Sequence, residues 1–224
     1  CVLLTAKADA LADTDPAGAR AAALGANKLQ PHFVPAAAAA ARALFRNNDT
    51  RRGAKILEAA WKAEPHPEIA DLYVHARHGD AVNDRLARAR KLMALRHNNA
   101  ESALAVARAS LDAGDFAAAR EAALSAVRMQ PREGAYLLLA DIEEADSGDI
   151  GKVRELLAKA VRAPRDPAWV ADGVEAAHWA PLSPVTGRLD AFEWRGPGGG
   201  PRGVVDGTPA APAPPATPAA PTTP

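Results

Sequence analysis

The chain has 224 residues with 27 Lys and Arg against 27 Asp and Glu, a balance that carries no signature of a nucleic-acid binder. Aromatic residues make up only 4% while alanine is abundant, which suits helices packed closely through small side chains. Cys1 is the only cysteine, which excludes an internal disulfide and a thiolate metal site, and no apolar run approaches the ~20 residues of a membrane helix.

Residue 1 is Cys and leads directly into VLLTAKADAL, which reads as the middle of a helix. The chain is therefore expected to be a fragment of a longer protein or to carry a misassigned start, with any membrane anchor upstream. Pro31 and Pro65 lie 34 residues apart, and Leu29-Gln30-Pro31 is echoed by Met129-Gln130-Pro131. Between the first two prolines, Asn47-Asn48-Asp49 reads as a turn. A further unit turns at Gly79-Asp80 and runs through Leu86, Ala89, Leu92 and Leu95 to His97-Asn98-Asn99.

The clearest unit follows. Its first helix is expected from Ala100 to Asp112, with Ala103, Val106, Ala107 and Ser110 as a small-residue stripe. Gly114 supplies a left-handed C-cap and Asp115 caps the next helix, whose Phe116, Ala119, Ala123 and Ala126 face the partner helix. Pro131 ends the unit. The next unit is in register: Gly148-Asp149 lies 34 residues after Gly114-Asp115, and Val153, Leu157 and Ala160 lie 34 after Ala119, Ala123 and Ala126. A fixed period of 34 residues marks the tetratricopeptide repeat, in which each unit is a helix-turn-helix hairpin stacked on its neighbours.

After Pro164 the helical period stops. DPAWVADGVEAAHWAPLSPVTGRLDAFEW holds three of the four tryptophans and reads as a compact cap of turns with a short strand near Leu189–Trp194. From Pro197 onward nine of the 19 prolines and two charges occur in 28 residues, with no apolar core to offset chain entropy. The expected fold class is thus all-α: a tetratricopeptide-repeat solenoid over residues 1–163, a small irregular tryptophan-rich C-terminal cap over 164–195, and a disordered Pro/Ala/Gly tail over 196–224.

Three stretches carry a resemblance: LLLADIEEADSGD at Leu137–Asp149, RAPRDPAWVADG at Arg162–Gly173 and WAPLSPVTGRLDAFEW at Trp179–Trp194. Together with the degenerate repeats they resemble the C-terminal part of the HemY-type tetratricopeptide proteins of proteobacterial haem biosynthesis. The resemblance implies two membrane helices upstream, an inner-membrane location and repeats facing the cytoplasm. It also implies a non-catalytic scaffold that docks haem-pathway enzymes or their porphyrin. The last segment is similar to a rubredoxin-like knuckle in which two CxxC pairs bind a metal. Here Ala171, Val174, Ser183 and Thr186 stand at those places, so no metal is expected.

In a tetratricopeptide unit, fixed positions of the first helix face the groove. They select Arg42, Phe45 and Arg46, then Tyr73 and Arg77, then Glu101, Leu104 and Arg108. Four arginines and two aromatic rings on one face suit a carboxylate-bearing ligand, either an acidic peptide segment or a porphyrin propionate, because guanidinium grips carboxylates bidentately. The competing account is a solvated helix face with snorkelling arginines. His75 and His78 have metal-capable spacing but no third ligand, and His66 and His97 read as polar helix-end residues. Asp141, Glu143 and Glu144 read as a solvated acidic face. No catalytic constellation emerges, so the chain is expected not to be an enzyme and to need no cofactor. Porphyrin or haem enters only as a candidate ligand. The alternative is a general tetratricopeptide adaptor for envelope assembly, without a tetrapyrrole role.

Overall fold

The computed structural model describes residues 1–77 and 79–196. The tail from Pro197 onward, expected to be disordered, lies outside the described residues, as does His78. Among the described residues ten helices come first: α1 (Val2–Leu11), α2 (Pro16–Leu29), α3 (Val34–Arg46), α4 (Thr50–Ala63), α5 (Pro67–Val74), α6 (Val82–Leu95), α7 (Ala100–Asp112), α8 (Phe116–Met129), α9 (Glu133–Asp146) and α10 (Ile150–Arg162). They form a tetratricopeptide-type helical solenoid.

Aspartate sets the start of every second helix in four of the five hairpins. Asp15, Asp49, Asp115 and Asp149 each accept a hydrogen bond from a backbone amide in the first turn of α2, α4, α8 and α10. The residue before three of these caps takes left-handed backbone: Asn48 at φ 58°, Gly114 at 72° and Gly148 at 63°. At the first two the chain closes a Schellman turn, with Asp115 N–H donating to Ser110 O at 2.9 Å and Asp49 N–H donating to Leu44 O at 3.0 Å, whereas Asp149 N–H donates to Ser147 Oγ at 3.2 Å. The Gly79-Asp80 turn departs from this pattern. Gly79 takes φ 81°, but α6 starts behind Ala81, and Asp80 pairs with Arg88.

The first helices of the hairpins, α1, α3, α5, α7 and α9, lie side by side as an inner layer, and the second helices back them from outside. Alanine makes this possible. Ala36, Ala37, Ala38, Ala40 and Ala41 are fully buried, so α3 is covered on nearly every side. A helix enclosed in this way needs small residues all round, because neighbouring backbones approach closely. Ala119, Ala123 and Ala126 bury the inward face of α8. In α10 the buried pair is Leu156 and Ala160, while Leu157, expected to face inward, is 41% exposed. The cause is that α10 packs only on α9, which leaves a narrow buried arc.

The acidic run on α9 also differs from a solvated face. Glu143 is 3% exposed and is held by Arg120 of α8 at 2.5 Å and Lys152 of α10 at 2.9 Å. Hydrogen bonding from Arg120 holds its carboxyl below the usual range against the opposing effect of burial. This residue ties three helices together.

The cap contains more sheet than the sequence suggests. Strands β1 (Ala168–Ala171), β2 (Val174–Ala176) and β3 (Glu193–Arg195) form an antiparallel sheet in the order β2-β1-β3. Asp172 and Gly173, both at positive φ, make the two-residue turn between β1 and β2. Trp169 sits opposite Trp194, with ring centroids 5.4 Å apart. The cap does not merely close the end of the solenoid. Trp169, Ala171, Ala191 and Phe192 join the main core with Val34, Ile69 and Ala105, and Trp179 packs edge-on against Phe33 with centroids 5.5 Å apart. The cap therefore lies over the inner layer.

An ionic clasp fixes that fold-back. Arg132, 3% exposed, pairs with Glu101 of α7 at 2.5 Å and with Asp166 at 2.8 Å. Asp166 also accepts from Gly134 N–H at 2.6 Å, and a Cβ on Gly134 would lie 2.6 Å from that carboxylate. A side chain at 134 would displace the Asp166 carboxylate from this position.

Candidate functional site

The candidate site is the part of the inner layer that the cap leaves open. α5 is positioned first. His66 caps it, with Nδ1 accepting from Glu68 N–H at 3.2 Å, and Pro67 opens the helix. The imidazole is buried against Trp169 and Trp194, at 5.6 and 4.1 Å between centroids. Burial pushes its pKa down to about 4, so it is neutral at pH 7. Because Nδ1 is the acceptor, the hydrogen belongs on Nε2.

Two adjoining clefts open on this face. The first, of about 480 Å³, lies between α5, α7 and the cap, with Trp169, Trp194, Ala105 and Ala109 among its walls. The second, of about 760 Å³, lies between the C-terminal ends of α3 and α5. Arg42, Asp71, Leu72 and His75 line both.

The sequence-selected groove residues divide among four settings. Arg42 stands between the two clefts and is held by Glu68 at 2.5 Å. Phe45, Arg46 and Arg77 line the second cleft, where Arg46 also donates to Ala12 O at 2.7 Å and pairs with Asp13 at 3.5 Å. A Cβ on Gly53 would overlap the Phe45 ring, so glycine at 53 lets the ring approach α4 closely. Arg108 lines the first cleft. Tyr73 does not face the groove. It is 2% exposed, its hydroxyl donates to Glu58 at 2.6 Å, and Lys91 stands 5.9 Å above its ring. Leu104 is fully buried among Ala119, Ala123 and Ala135 and offers no surface to a ligand. Glu101 is likewise withdrawn into the Arg132 clasp.

Sequence reasoning missed the carboxylates. Glu68, Asp71 and Asp112 line the first cleft beside Arg42 and Arg108. His75 and His178 reach its rim, and His75 Nδ1 lies 3.1 Å from Asp71. The signal was present in α5, where 68, 71, 72 and 75 recur at helical spacing. An ideal repeat frame shifts that face by one or two residues, and α5 is only eight residues long. Among the described residues no three His, Cys, Asp or Glu side chains gather in metal-binding reach.

The two loops that carry the four knuckle positions are linked by a hydrogen bond. Ala171 is buried beside the Asp172-Gly173 turn, and Val174 follows it, 40% exposed. Ser183 is buried, and its hydroxyl accepts from the amides of Val185 at 3.1 Å and Thr186 at 3.2 Å. Thr186 Oγ1 donates to Asp172 at 2.6 Å, joining the two loops. Hydrogen bonding from Ser183 and Thr186 holds the Asp172 carboxyl below its ordinary range.

No protein-family model and no curated protein matches the chain. Among solved structures it is similar to MamA: 16% identity, covering 69% of this chain and 92% of that one, at a TM-score of 0.45. A second MamA structure matches at 16% identity, covering 71% and 89%, again at 0.45.

Proposed function

We propose that this chain is a non-catalytic scaffold that docks haem-biosynthesis enzymes, or their porphyrin, on the inner layer of its solenoid. The observation that supports this most is the pair of adjoining clefts between α3, α5, α7 and the cap, which together form a recessed path floored by helices and edged with charge. Stacked hairpins hold that path rigidly, and solenoids use such faces for binding. Arg46 and Arg77 beside Phe45 suit a carboxylate, whether from an acidic segment or a propionate.

The haem assignment rests on the resemblance at Leu137–Asp149, Arg162–Gly173 and Trp179–Trp194. The inner-membrane location rests on the same resemblance, which puts attachment upstream of Cys1 and the repeats in the cytoplasm. No helix of the described residues is long and apolar enough to cross a membrane.

Two assays separate the forms of this proposal. Titrating the purified chain with coproporphyrin while following the Soret band tests carriage of the pigment. Calorimetric titration with individual haem-pathway enzymes tests docking. Saturable binding in either, weakened by Arg46→Glu with Arg77→Glu, supports the proposal. Silence in both assays overturns the haem assignment.

A further inference from the structure

The two clefts differ in charge. In the first, Arg42 and Arg108 face three carboxylates, Glu68, Asp71 and Asp112, beside an aromatic wall of Trp169 and Trp194. In the second, Asp71 is the one carboxylate in a lining that holds Arg42, Arg46 and Arg77, and the Asp13 that Arg46 meets at 3.5 Å lies outside it. The path therefore runs from a negative, aromatic end under the cap to a positive end at α3 and α5. Arg42 does not blur this division, since Glu68 holds it at 2.5 Å. The neutral His66 adds no positive charge to the aromatic end.

We infer that this face takes a partner peptide segment of divided charge: a lysine or arginine side chain seated beside Trp169 and Trp194 against Asp71 and Asp112, and carboxylates of the same segment on Arg46 and Arg77. A basic side chain fits the first cleft on two counts. Its aliphatic stem covers apolar wall, and its charge gains from aromatic rings and carboxylates together. An acidic side chain there would face a carboxylate majority. The division also gives the path a direction, so that a uniformly charged segment is opposed at one end. This inference rests on the scaffold proposal and names the chemistry of the segment bound.

The test uses three fluorescein-labelled synthetic peptides of equal length and equal apolar content: one acidic throughout, one basic throughout, and one acidic in one half and basic in the other. Binding to the full chain is read by fluorescence anisotropy. The divided peptide is expected to bind at least about tenfold more tightly than either uniform one. Asp71→Asn with Asp112→Asn should reduce it to the affinity of the acidic peptide and leave the acidic peptide unweakened. Arg46→Glu with Arg77→Glu should reduce it to the affinity of the basic one. Circular dichroism checks that both variants fold. An acidic peptide that binds as tightly as the divided one, unaffected by the asparagine pair, overturns the basic seat and leaves the scaffold proposal standing. Failure of all three peptides to bind also overturns the inference. The scaffold proposal is then decided separately, by crosslinking of intact partners at this face.

Discussion

The His66 imidazole lies against the Trp194 ring with centroids 4.1 Å apart, while its Nδ1 caps α5. One side chain thus starts an inner-layer helix and seats the sheet of the cap. The capping role requires the neutral ring. An imidazolium has no acceptor at Nδ1 and loses its hydration in this setting.

A pH dependence follows. The pKa of His66 is about 4 in the folded chain and about 6.5 when unfolded, so the unfolded state binds the extra proton between those values. Stability is complete above pH ~6.5 and falls as pH drops toward 4, by up to about 3 kcal/mol. Chemical denaturation across this window measures it. His66→Asn keeps a capping oxygen without titrating, and should flatten the curve there. Carboxylates held below their ordinary range, such as Glu143, add their own loss at lower pH.

The turn at Gly114 should respond to backbone geometry alone. A Cβ there meets nothing within 4 Å, yet φ is 72°. Gly114→Val is expected to cost about 1–2 kcal/mol through left-handed strain. Gly134→Ala should destabilise for a different reason, by pushing Asp166 off the Arg132 clasp. Thermal melts of both variants, with tryptophan emission as a second probe, separate them. Emission should shift only in the Gly134 variant, because the clasp tethers the cap.

Glu143→Gln should destabilise the C-terminal hairpins by about 1–3 kcal/mol, since the amide cannot serve both Arg120 and Lys152 as a charge. A double-mutant cycle with Arg120→Gln should give a coupling of about 1 kcal/mol or more. Additive effects would show that the pair does not hold α8 to α9.

Thr186→Val removes the hydrogen bond that joins the two knuckle loops. The expected loss is about 1 kcal/mol, and limited proteolysis should quicken between residues 182 and 189. Unchanged cleavage would mean that Ser183 and Arg188 on Asp172, together with packing of the tryptophans, hold these loops without it.

The hairpins were legible because Asp49, Gly114, Asp115, Gly148 and Asp149 encode caps and turns locally, at a fixed period. The hairpin at Asp172-Gly173 was also encoded, as a short turn pair between apolar stretches, but the tryptophans around it read as a turn-rich cap. What local pattern could not give was the fold-back of the cap. It depends on Arg132 reaching both Glu101 and Asp166, residues that are remote in sequence. The candidate face was misread for a separate reason, because packing against neighbouring helices sets which helix positions reach the groove. Arg42, Phe45, Arg46, Arg77 and Arg108 line it, but Tyr73 turned outward to Glu58 and Leu104 into the core. The carboxylates that oppose the arginines became visible only once α5, α7 and the cap were placed together.

Docking of partners on the inner face would follow the path that Leu72 lines in both clefts. Site-specific photocrosslinking tests it most directly, with p-benzoylphenylalanine placed at Leu72 or, as control, at Leu124 on α8 of the outer layer. The expected adduct at position 72 contains a haem-pathway enzyme, is absent at 124, and is lost with Arg46→Glu and Arg77→Glu in a chain that still folds. An adduct that forms only at 124, or one at 72 that persists in the arginine variant, would contradict it.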